Sequence, residues 1–315
     1  MTETPPILFL IFNRPAKTKA VLDTIRAIRP SRLYIAADGP RSDRPADIEL
    51  CQQTRALVDT VDWPCEVRTL FRDDNLGCRQ AVSGAITWFF DQEPEGIILE
   101  DDVLVDPSFI RFAAEMLDRY RDDPRVMSIT ACNVQPPDRD YDASYYFSYF
   151  KYFWGWASWR RAWELYDGDL ADLNKRTGTR LISNIWPTPG AIDYWYPILK
   201  DVRDGKIDSW GYVWHYSHWK NNSLVITPKT NLMQNIGFDQ NATHTTSSES
   251  WEASLRAGSM HFPISHPKNV ERWLDADLHI ARNALGIRKD SALKRIRKTG
   301  KKIIRRLKSN GRTAT

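Results

Sequence analysis

The amino-acid sequence predicts an α/β protein with an open, mostly parallel sheet covered by helices. Over the first 131 residues, short apolar runs alternate with helical patterns, the links between them are short, and polar residues follow the apolar runs. The chain has 315 residues, of which 42% are hydrophobic and 27% are charged. This composition is typical of a globular protein with a sizeable core, and it excludes a chain that is disordered throughout.

Five strands and four helices account for this first part of the chain. Residues 7–12 (ILFLIF) are continuously apolar, as expected for a strand buried on both faces. The other strands are predicted at 33–38, 65–71, 96–102 and 125–131, and the helices at 15–28, 45–61, 76–90 and 107–120. Sheets of this kind bind ligands beyond the carboxyl ends of their strands, so the polar residues at those ends are the first candidates for a site.

The composition divides the chain into three parts. We expect residues 1–135 to form one half of an α/β domain and residues 136–280 to form its second, aromatic-rich half. Nine of the thirteen tryptophans lie between Trp154 and Trp219, within this second half. Residues 281–315 are predicted to form a basic amphipathic helical tail.

The formal net charge of +4 conceals an uneven distribution. Residues 282–312 contain thirteen basic side chains and one acidic side chain, which leaves a net charge of −8 on the rest of the chain. A basic amphipathic segment is typical of attachment to anionic lipid headgroups. A nucleic-acid-binding arm is disfavoured, because the acidic remainder offers no further basic groove. We therefore expect an anionic membrane surface, and no nucleic acid, among the partners.

The sequence favours a cytoplasmic protein that is held peripherally at the inner face of the plasma membrane. Its four cysteines include no CxxC pair, which is typical of a reducing compartment and excludes a disulfide-rich scaffold. The N-terminal residues lack a basic segment, and their apolar run at 7–12 is too short for a signal peptide. No apolar stretch approaches the ~20 residues that a membrane-spanning helix needs.

The sharpest chemical signal is the acidic cluster Glu100-Asp101-Asp102 at the end of the fourth predicted strand. Carboxylates held at the end of a buried strand are costly to leave uncompensated. A divalent cation that bridges to a diphosphate would compensate them, because Mg²⁺ and Mn²⁺ prefer hard oxygen ligands. The alternative, a capping role for the following helix, is disfavoured because Asp106 already occupies the N-cap position before Pro107. The cluster therefore predicts a Mn²⁺ or Mg²⁺ site.

Four segments give the sequence a resemblance to a known enzyme class. In chain order they are FNRP (12–15), AADGPR (36–41), RDDNLGCRQAVSGAITWFF (72–90) and LEDDVLVDPSFIRF (99–112). Together they resemble glycosyltransferases of the GT-A fold, which use nucleotide sugars, and in particular the N-acetylglucosaminyltransferase I family and bacterial family 2-like glycosyltransferases. The likeness covers residues 6–131 well and residues 150–245 more loosely.

The resemblance implies roles for the residues at the strand ends. Asp102, the last acid of the motif, would ligate the metal. Asp101 would lie near the ribose or a metal-bound water, and Glu100 would help to orient the pair. Arg14 and Asp38 match positions that contact the nucleotide, and a carboxylate such as Asp38 can accept the N3–H of uracil, which makes UDP the preferred nucleotide. A surface salt bridge for Arg14 and a turn role for Asp38 remain alternatives.

Three further residues are candidates for binding the nucleotide sugar. Arg79 lies in the first turn of the predicted helix at 76–90. Gly155 would allow close approach to a ligand, and Trp156, together with Trp154, would lie near the donor sugar or the acceptor. The i, i+3, i+7 spacing of Trp156, Trp159 and Trp163 equally predicts a helical core stripe, and we assign core roles to Trp159 and Trp163.

A transfer that inverts the anomeric centre also needs a base from the second half of the chain. Asp208, in GKIDSWGY, matches the base segment of the family, although the family has two acids where this chain has one. Asp193 and Glu164 are the alternatives, and Asp208 could instead cap the helix that follows it.

His244 is the candidate for completing the metal or diphosphate site, because a late histidine often does so in GT-A enzymes. An isolated histidine with a structural role is the alternative interpretation.

The resemblance thus implies a metal-dependent, inverting glycosyltransferase. It would move a sugar from a nucleotide-diphosphate donor to a glycan or lipid-linked saccharide in surface polysaccharide synthesis. A sugar nucleotidyltransferase is one alternative, disfavoured because FNRPAKTK supplies no glycine-rich triphosphate loop after the first strand. A non-catalytic glycan- or membrane-binding protein on the same fold is the other.

Overall fold

A computed structural model describes residues 4–136, 139, 141–238 and 254–287. Its strands are β1 (Ile7–Ile11), β2 (Arg32–Ala37), β3 (Glu66–Phe71), β4 (Glu95–Glu100), β5 (Val103–Val105), β6 (Val126–Thr130), β7 (Tyr145–Ser148), β8 (Trp156–Trp159), β9 (Leu224–Pro228) and β10 (Met233–Asn235). Its α-helices are α1 (Pro15–Ile28), α2 (Ala46–Ala56), α3 (Gly77–Phe90), α4 (Pro107–Arg119), α5 (Arg160–Trp163), α6 (Lys175–Ile185), α7 (Ala191–Arg203), α8 (Trp210–Lys220) and α9 (Leu274–His279).

Eight strands form one central sheet in the order β3-β2-β1-β4-β8-β6-β9-β7. β1 pairs in parallel with β2 and β4, β2 pairs in parallel with β3, and β6 pairs in parallel with β9. β8 runs antiparallel to both β4 and β6, and β7 runs antiparallel to β9. β5 and β10 form a separate antiparallel pair. The predicted α/β class with a Rossmann-like, mostly parallel sheet is therefore confirmed.

The elements of the first 131 residues follow their local sequence signals. All five residues of β1 are buried, as a run covered on both faces requires. α1 and α4 begin at Pro15 and Pro107, and the Asp106 side chain caps α4 by accepting the backbone N–H of Ser108. β4 ends two residues earlier than predicted, so Asp101 and Asp102 lie in a turn that leads directly into β5.

The predicted helical stripe through three tryptophans is wrong. Trp156 and Trp159 are the ends of strand β8, and only Arg160–Trp163 is helical. β8 lies between β4 and β6 in the sheet, where all four of its residues are buried, and this pairing outweighs the local 3.6-residue pattern. The core roles of Trp159 and Trp163 are confirmed, with 1% and 5% of their surfaces exposed.

The second half of the chain adds strands to the same sheet and a second core beside it. This second core contains the buried side chains of Trp186, Trp195 and Trp219 from α6, α7 and α8 and their flanks. Among the described residues, no helix is long and apolar enough to cross a membrane. The predicted helical tail falls almost wholly at 288–315, outside the described residues.

Candidate functional site

A cleft of about 390 Å³ opens beyond the carboxyl ends of β1, β2 and β4. The first turn of α3, the segment before α8 and the residues after β10 complete its walls. Of the ten predicted site residues, six line it: Arg14, Asp38, Glu100, Asp101, Asp102 and Asp208. Groups that lie far apart in sequence thus meet at one edge of the sheet, as expected for this architecture.

Arg14 links two of the three acids that follow β4. Its guanidinium donates to both carboxylate oxygens of Asp101 and, at 2.9 Å, to Oδ2 of Asp102. Only 2% of Asp101 is exposed, so this pairing compensates a buried charge. Although burial works against its charge, the two carboxylates hold the pKa of Arg14 above its usual value. Arg14 is therefore part of the site and is not the surface salt bridge considered as an alternative.

Two acids of the cluster, Glu100 and Asp101, hold protons more strongly than isolated carboxyls do. Burial, followed by the negative charge of Asp102, raises the pKa of Glu100 to about 8. Burial also raises the pKa of Asp101 to about 6, against the opposing effect of Arg14. Even with Glu100 protonated, the single guanidinium of Arg14 faces the two carboxylates of Asp101 and Asp102, so an excess of negative charge remains and favours a second cation there.

Asp102 keeps one carboxylate oxygen without a partner. Its Oδ1 is buried and makes no hydrogen bond to any of the described residues. Gly237 lies against the same carboxylate: a Cβ atom at that position would come within 2.2 Å of Oδ2. The backbone of β5 and β10 fixes this approach, because Ile236 N–H donates to the Asp102 carbonyl at 2.8 Å. A buried, unpaired carboxylate oxygen is the kind of group that a divalent cation satisfies.

Asp38 caps the N-terminus of α3 from the end of β2. Its carboxylate accepts the backbone N–H groups of Leu76 and Gly77 at 3.0–3.1 Å and the side-chain amide of Asn75 at 2.9 Å. Within the described parts of the chain, Oδ1 accepts from Leu76 alone, which leaves this oxygen a second lone pair. The carboxylate thus anchors α3, beyond the turn role considered from the sequence.

Asp208 caps the same helix from the second half of the chain. Its two carboxylate oxygens accept the backbone N–H groups of Cys78 at 2.7 Å and Arg79 at 2.8 Å. The alternative role for Asp208, capping the following helix, is wrong, because Ser209 is the residue before α8 and that helix has no side-chain cap. The alternative bases Asp193 and Glu164 are not among the residues that line the cleft.

Three predicted nucleotide-sugar-binding residues lie outside the cleft lining. The Arg79 guanidinium donates to the carbonyls of Val202 and Gly168, so it joins α3 to the second half of the chain. Gly155 has φ +69°, and its Cα faces Val105: a Cβ there would lie 2.8 Å from the valine side chain. Trp156 is fully buried in β8 and stacks on Trp210. Each of these residues thus has a structural role. His244 lies outside the described residues.

Two further walls of the cleft contain Trp154, which the sequence singled out, and Arg41 and Phe238, which it did not. On one side, Arg41 lies over the Phe12 ring and is held by Asp47 at 2.6 and 3.0 Å. On the other side, Trp154 packs edge-to-face against Phe238 with their ring centroids 5.8 Å apart. Arg41 is the last residue of the AADGPR segment, so its position after the second strand could have indicated that it lies at the cleft. Phe238 had no such signal, because its contact depends on how β10 folds back along β5.

Comparison of the sequence with protein-family models and with curated proteins gives no match. Solved structures similar to this chain include HddC from Yersinia pseudotuberculosis, with 12% identity over 52% of this chain and 80% of that chain and a TM-score of 0.33. Another is 4-diphosphocytidyl-2C-methyl-D-erythritolsynthase from Anaerococcus prevotii DSM 20548. Its identity to this chain is 11%, the match covers 55% of this chain and 80% of that chain, and the TM-score is 0.30. The glycosyltransferase GlyE in Streptococcus pneumoniae TIGR4 is also 11% identical to this chain. The match covers 81% of this chain and 61% of that chain, and the TM-score is 0.30. Likenesses this distant carry no argument about function.

Proposed function

We propose that this protein is a metal-dependent, inverting glycosyltransferase that uses a nucleotide-diphosphate sugar. The observation that carries the proposal is the unpaired, buried Oδ1 of Asp102 in a cleft at the carboxyl edge of the sheet. A cation held there would face the same space as the positive guanidinium of Arg14, and the two charges together suit a diphosphate.

The chain's own residues fit a cation that takes most of its ligands from the substrate. No group of three or more His, Cys, Asp or Glu side chains within the described parts of the chain is arranged to hold a metal ion. Mg²⁺ and Mn²⁺ sites on phosphates need only one or two protein carboxylates, and Asp102 supplies one. When bound, the ion would stabilise the negative charge of the departing nucleotide diphosphate. His244 remains a proposed additional ligand.

UDP is the nucleotide that we propose for the donor. The free lone pair on Oδ1 of Asp38 suits the N3–H of uracil, and the Phe12 ring with Arg41 supplies an adjacent aromatic and cationic wall. This role of Asp38 is compatible with its capping of α3, because the capping bonds fall mostly on Oδ2.

Asp208 is the proposed base. The acceptor oxygen would bond to C1 of the donor sugar as the bond from C1 to the diphosphate oxygen breaks. Asp208 would take the proton that the acceptor hydroxyl loses. Trp154 and Phe238 provide an aromatic surface against which the apolar face of a saccharide can pack.

A glycan or a lipid-linked saccharide is the proposed acceptor, with the basic 282–312 segment holding the protein at an anionic membrane surface. The segment's charge supports this proposal. It would place the protein at the inner face of the plasma membrane.

The test is release of UDP from UDP-glucose, UDP-galactose and UDP-N-acetylglucosamine, with and without Mn²⁺ and simple saccharide acceptors. We expect one donor to be consumed only when Mn²⁺ is present. Consumption of none of a broad panel of nucleotide sugars would contradict the proposal. Release of pyrophosphate from a nucleoside triphosphate and a sugar phosphate would instead identify a sugar nucleotidyltransferase.

A further inference from the structure

The first turn of α3 is held by two carboxylates from opposite halves of the chain. The four successive backbone N–H groups of residues 76–79 donate to Asp38 and Asp208, two to each. A carboxylate at this place is favoured by the hydrogen bonds and by the positive end of the helix dipole. The Asp208 bonds span about 130 residues of sequence, so they join the segment before α8 to the donor side of the cleft.

Gly77 is the residue that admits the Asp208 carboxylate. Its φ is +80°, a conformation in which other residues are strained. A Cβ atom at Gly77 would lie 2.7 Å from Oδ2 of Asp208, closer than carbon and oxygen approach without a bond. Any larger residue would therefore push Asp208 away from the N–H groups of Cys78 and Arg79.

Other contacts also hold the first turn of α3 against the second half of the chain. The Arg79 guanidinium holds the carbonyls of Val202 and Gly168 on the far side of the same turn. The Cys78 thiol lies beside the Trp210 backbone, and burial, with the charges of Glu100 and Asp208, raises its pKa to about 12. Movement of the Asp208 charge away from Cys78 would therefore lower the pKa of the thiol.

We propose that Gly77 is a positioning residue, which lets the first turn of α3 aim the Asp208 carboxylate into the cleft. The proposal rests on the function proposed above, in which Asp208 is the base. Among the described residues, each Asp208 oxygen accepts one backbone N–H, which leaves it a second lone pair that can accept the proton of the acceptor hydroxyl. The helix thus fixes the direction from which the proton is taken.

The first experiment compares Gly77→Ala with Gly286→Ala. Gly286 has φ +64°, and no atom of the described residues lies within 4 Å of a Cβ placed there, so its alanine variant carries the backbone strain without a clash with them. With the UDP-sugar that the wild type consumes, we expect Gly77→Ala to lose about 100-fold in kcat, because a displacement of ~1 Å costs that much. The KM for the donor should change little, and Gly286→Ala should resemble the wild type. An unchanged kcat in Gly77→Ala would overturn the proposal.

The second experiment needs no substrate. The rate at which iodoacetamide alkylates Cys78 is followed by peptide mass spectrometry in the wild-type chain and in the Gly77→Ala, Asp208→Ala and Gly286→Ala variants. Displacing or removing the Asp208 carboxylate takes a negative charge away from the thiol and lowers its pKa, so the first two variants should react about tenfold faster. Gly286→Ala should react like the wild type. Wild-type rates in both Gly77→Ala and Asp208→Ala would overturn the docking of Asp208 on α3.

The two experiments separate this proposal from the proposed function. If the wild-type chain consumes no nucleotide sugar, the glycosyltransferase proposal fails, and with it the role of Asp208 as a base. The alkylation rates still decide whether Gly77 governs the position of Asp208. If Gly77→Ala does not fold, Asp208→Ala still decides whether Asp208 lies against the first turn of α3, and a wild-type alkylation rate in that variant would leave Gly77 nothing to position.

Discussion

Single residues in the cleft have roles that their neighbours in sequence do not reveal. The sequence predicted nucleotide binding for Asp38 and catalysis for Asp208, with a turn role and an N-cap role as alternatives. In the structure, both side chains hold the N-terminus of α3. The partner of Asp208 lies about 130 residues away, so no local pattern contains this contact. Near α3, the residue in the sequence that reflects this contact is Gly77. Its φ is positive, and a side chain there would clash with the Asp208 carboxylate.

Trp154 should contribute to binding of the acceptor. Trp154→Ala is expected to raise the KM for a saccharide acceptor by roughly a factor of five, because an aromatic stacking contact is worth about 1 kcal/mol beyond its buried area. The dissociation constant of UDP should not change. Steady-state kinetics with varied acceptor test this, and Trp88→Ala, remote from the cleft lining, is the control. An unchanged acceptor KM would remove Trp154 from the acceptor site.

Lys151 should make the stability of the protein depend on pH. Only 2% of its surface is exposed, its Nζ has no hydrogen-bond partner among the described residues, and it lies over the Phe153 and Trp214 rings. Burial lowers the pKa of Lys151 well below its usual value, and it also lowers that of the nearby His215. Between the folded and unfolded pKa values the unfolded chain binds more protons, so the free energy of unfolding rises with pH.

Replacing Lys151 by methionine removes this dependence. The variant should be more stable than the wild type at pH 6, and its advantage should shrink as the pH rises towards 10. Urea unfolding across this range measures the difference, with Lys206→Met, at an exposed position, as the control. An advantage that did not vary with pH would show that Lys151 is charged in the folded protein.

Among the helices and strands, those marked by a pattern within their own residues were predicted correctly, and those that depend on a distant partner strand were not. β1, α1 and α4 are marked by a continuous apolar run or by proline at the first helical position, and they form where expected. β8 carries a pattern that fits a helix, and it is a strand because β4 and β6 both pair with it. β10 and the cleft residue Phe238 depend likewise on a distant partner, β5.

Helix α4 offers a direct test of a predicted cap. Asp106→Ala removes the side chain that accepts the Ser108 N–H, and it should lower the free energy of unfolding by about 1 kcal/mol. Asp118→Ala, an exposed change on the same helix, should have an effect within about 0.5 kcal/mol. Urea unfolding compares the two variants. Equal effects would mean that the cap adds nothing specific.

For the molecule as a whole, the overall charge of +4 matters less than its distribution. The part of the chain before the basic segment is acidic, and three of its acids are adjacent in one cleft. Arg14 forms ion pairs with two of them, Asp101 and Asp102. The basic segment at 282–312 lies almost wholly outside the described residues, so its membrane role remains a prediction.

The full chain should bind vesicles that contain phosphatidylglycerol, and a chain ending at Ile287 should not. Each basic residue near such a surface adds about 1 kcal/mol, so the binding should weaken with salt. Co-sedimentation measures it, with neutral phosphatidylcholine vesicles as the control. Equal sedimentation of the two chains with the anionic vesicles would exclude the basic segment as the membrane contact.

The central claim is that the cleft binds a nucleotide diphosphate through a cation on Asp102, and calorimetric titration of UDP tests it most directly. We predict binding that requires Mn²⁺, is lost in Asp102→Asn and is retained in Asp118→Asn, which makes the same change at an exposed site outside the cleft lining. At a hundredfold excess over Kd, UDP with Mn²⁺ should also stabilise the wild type by about 2.7 kcal/mol. UDP binding of equal strength without Mn²⁺, or in Asp102→Asn, would contradict the claim.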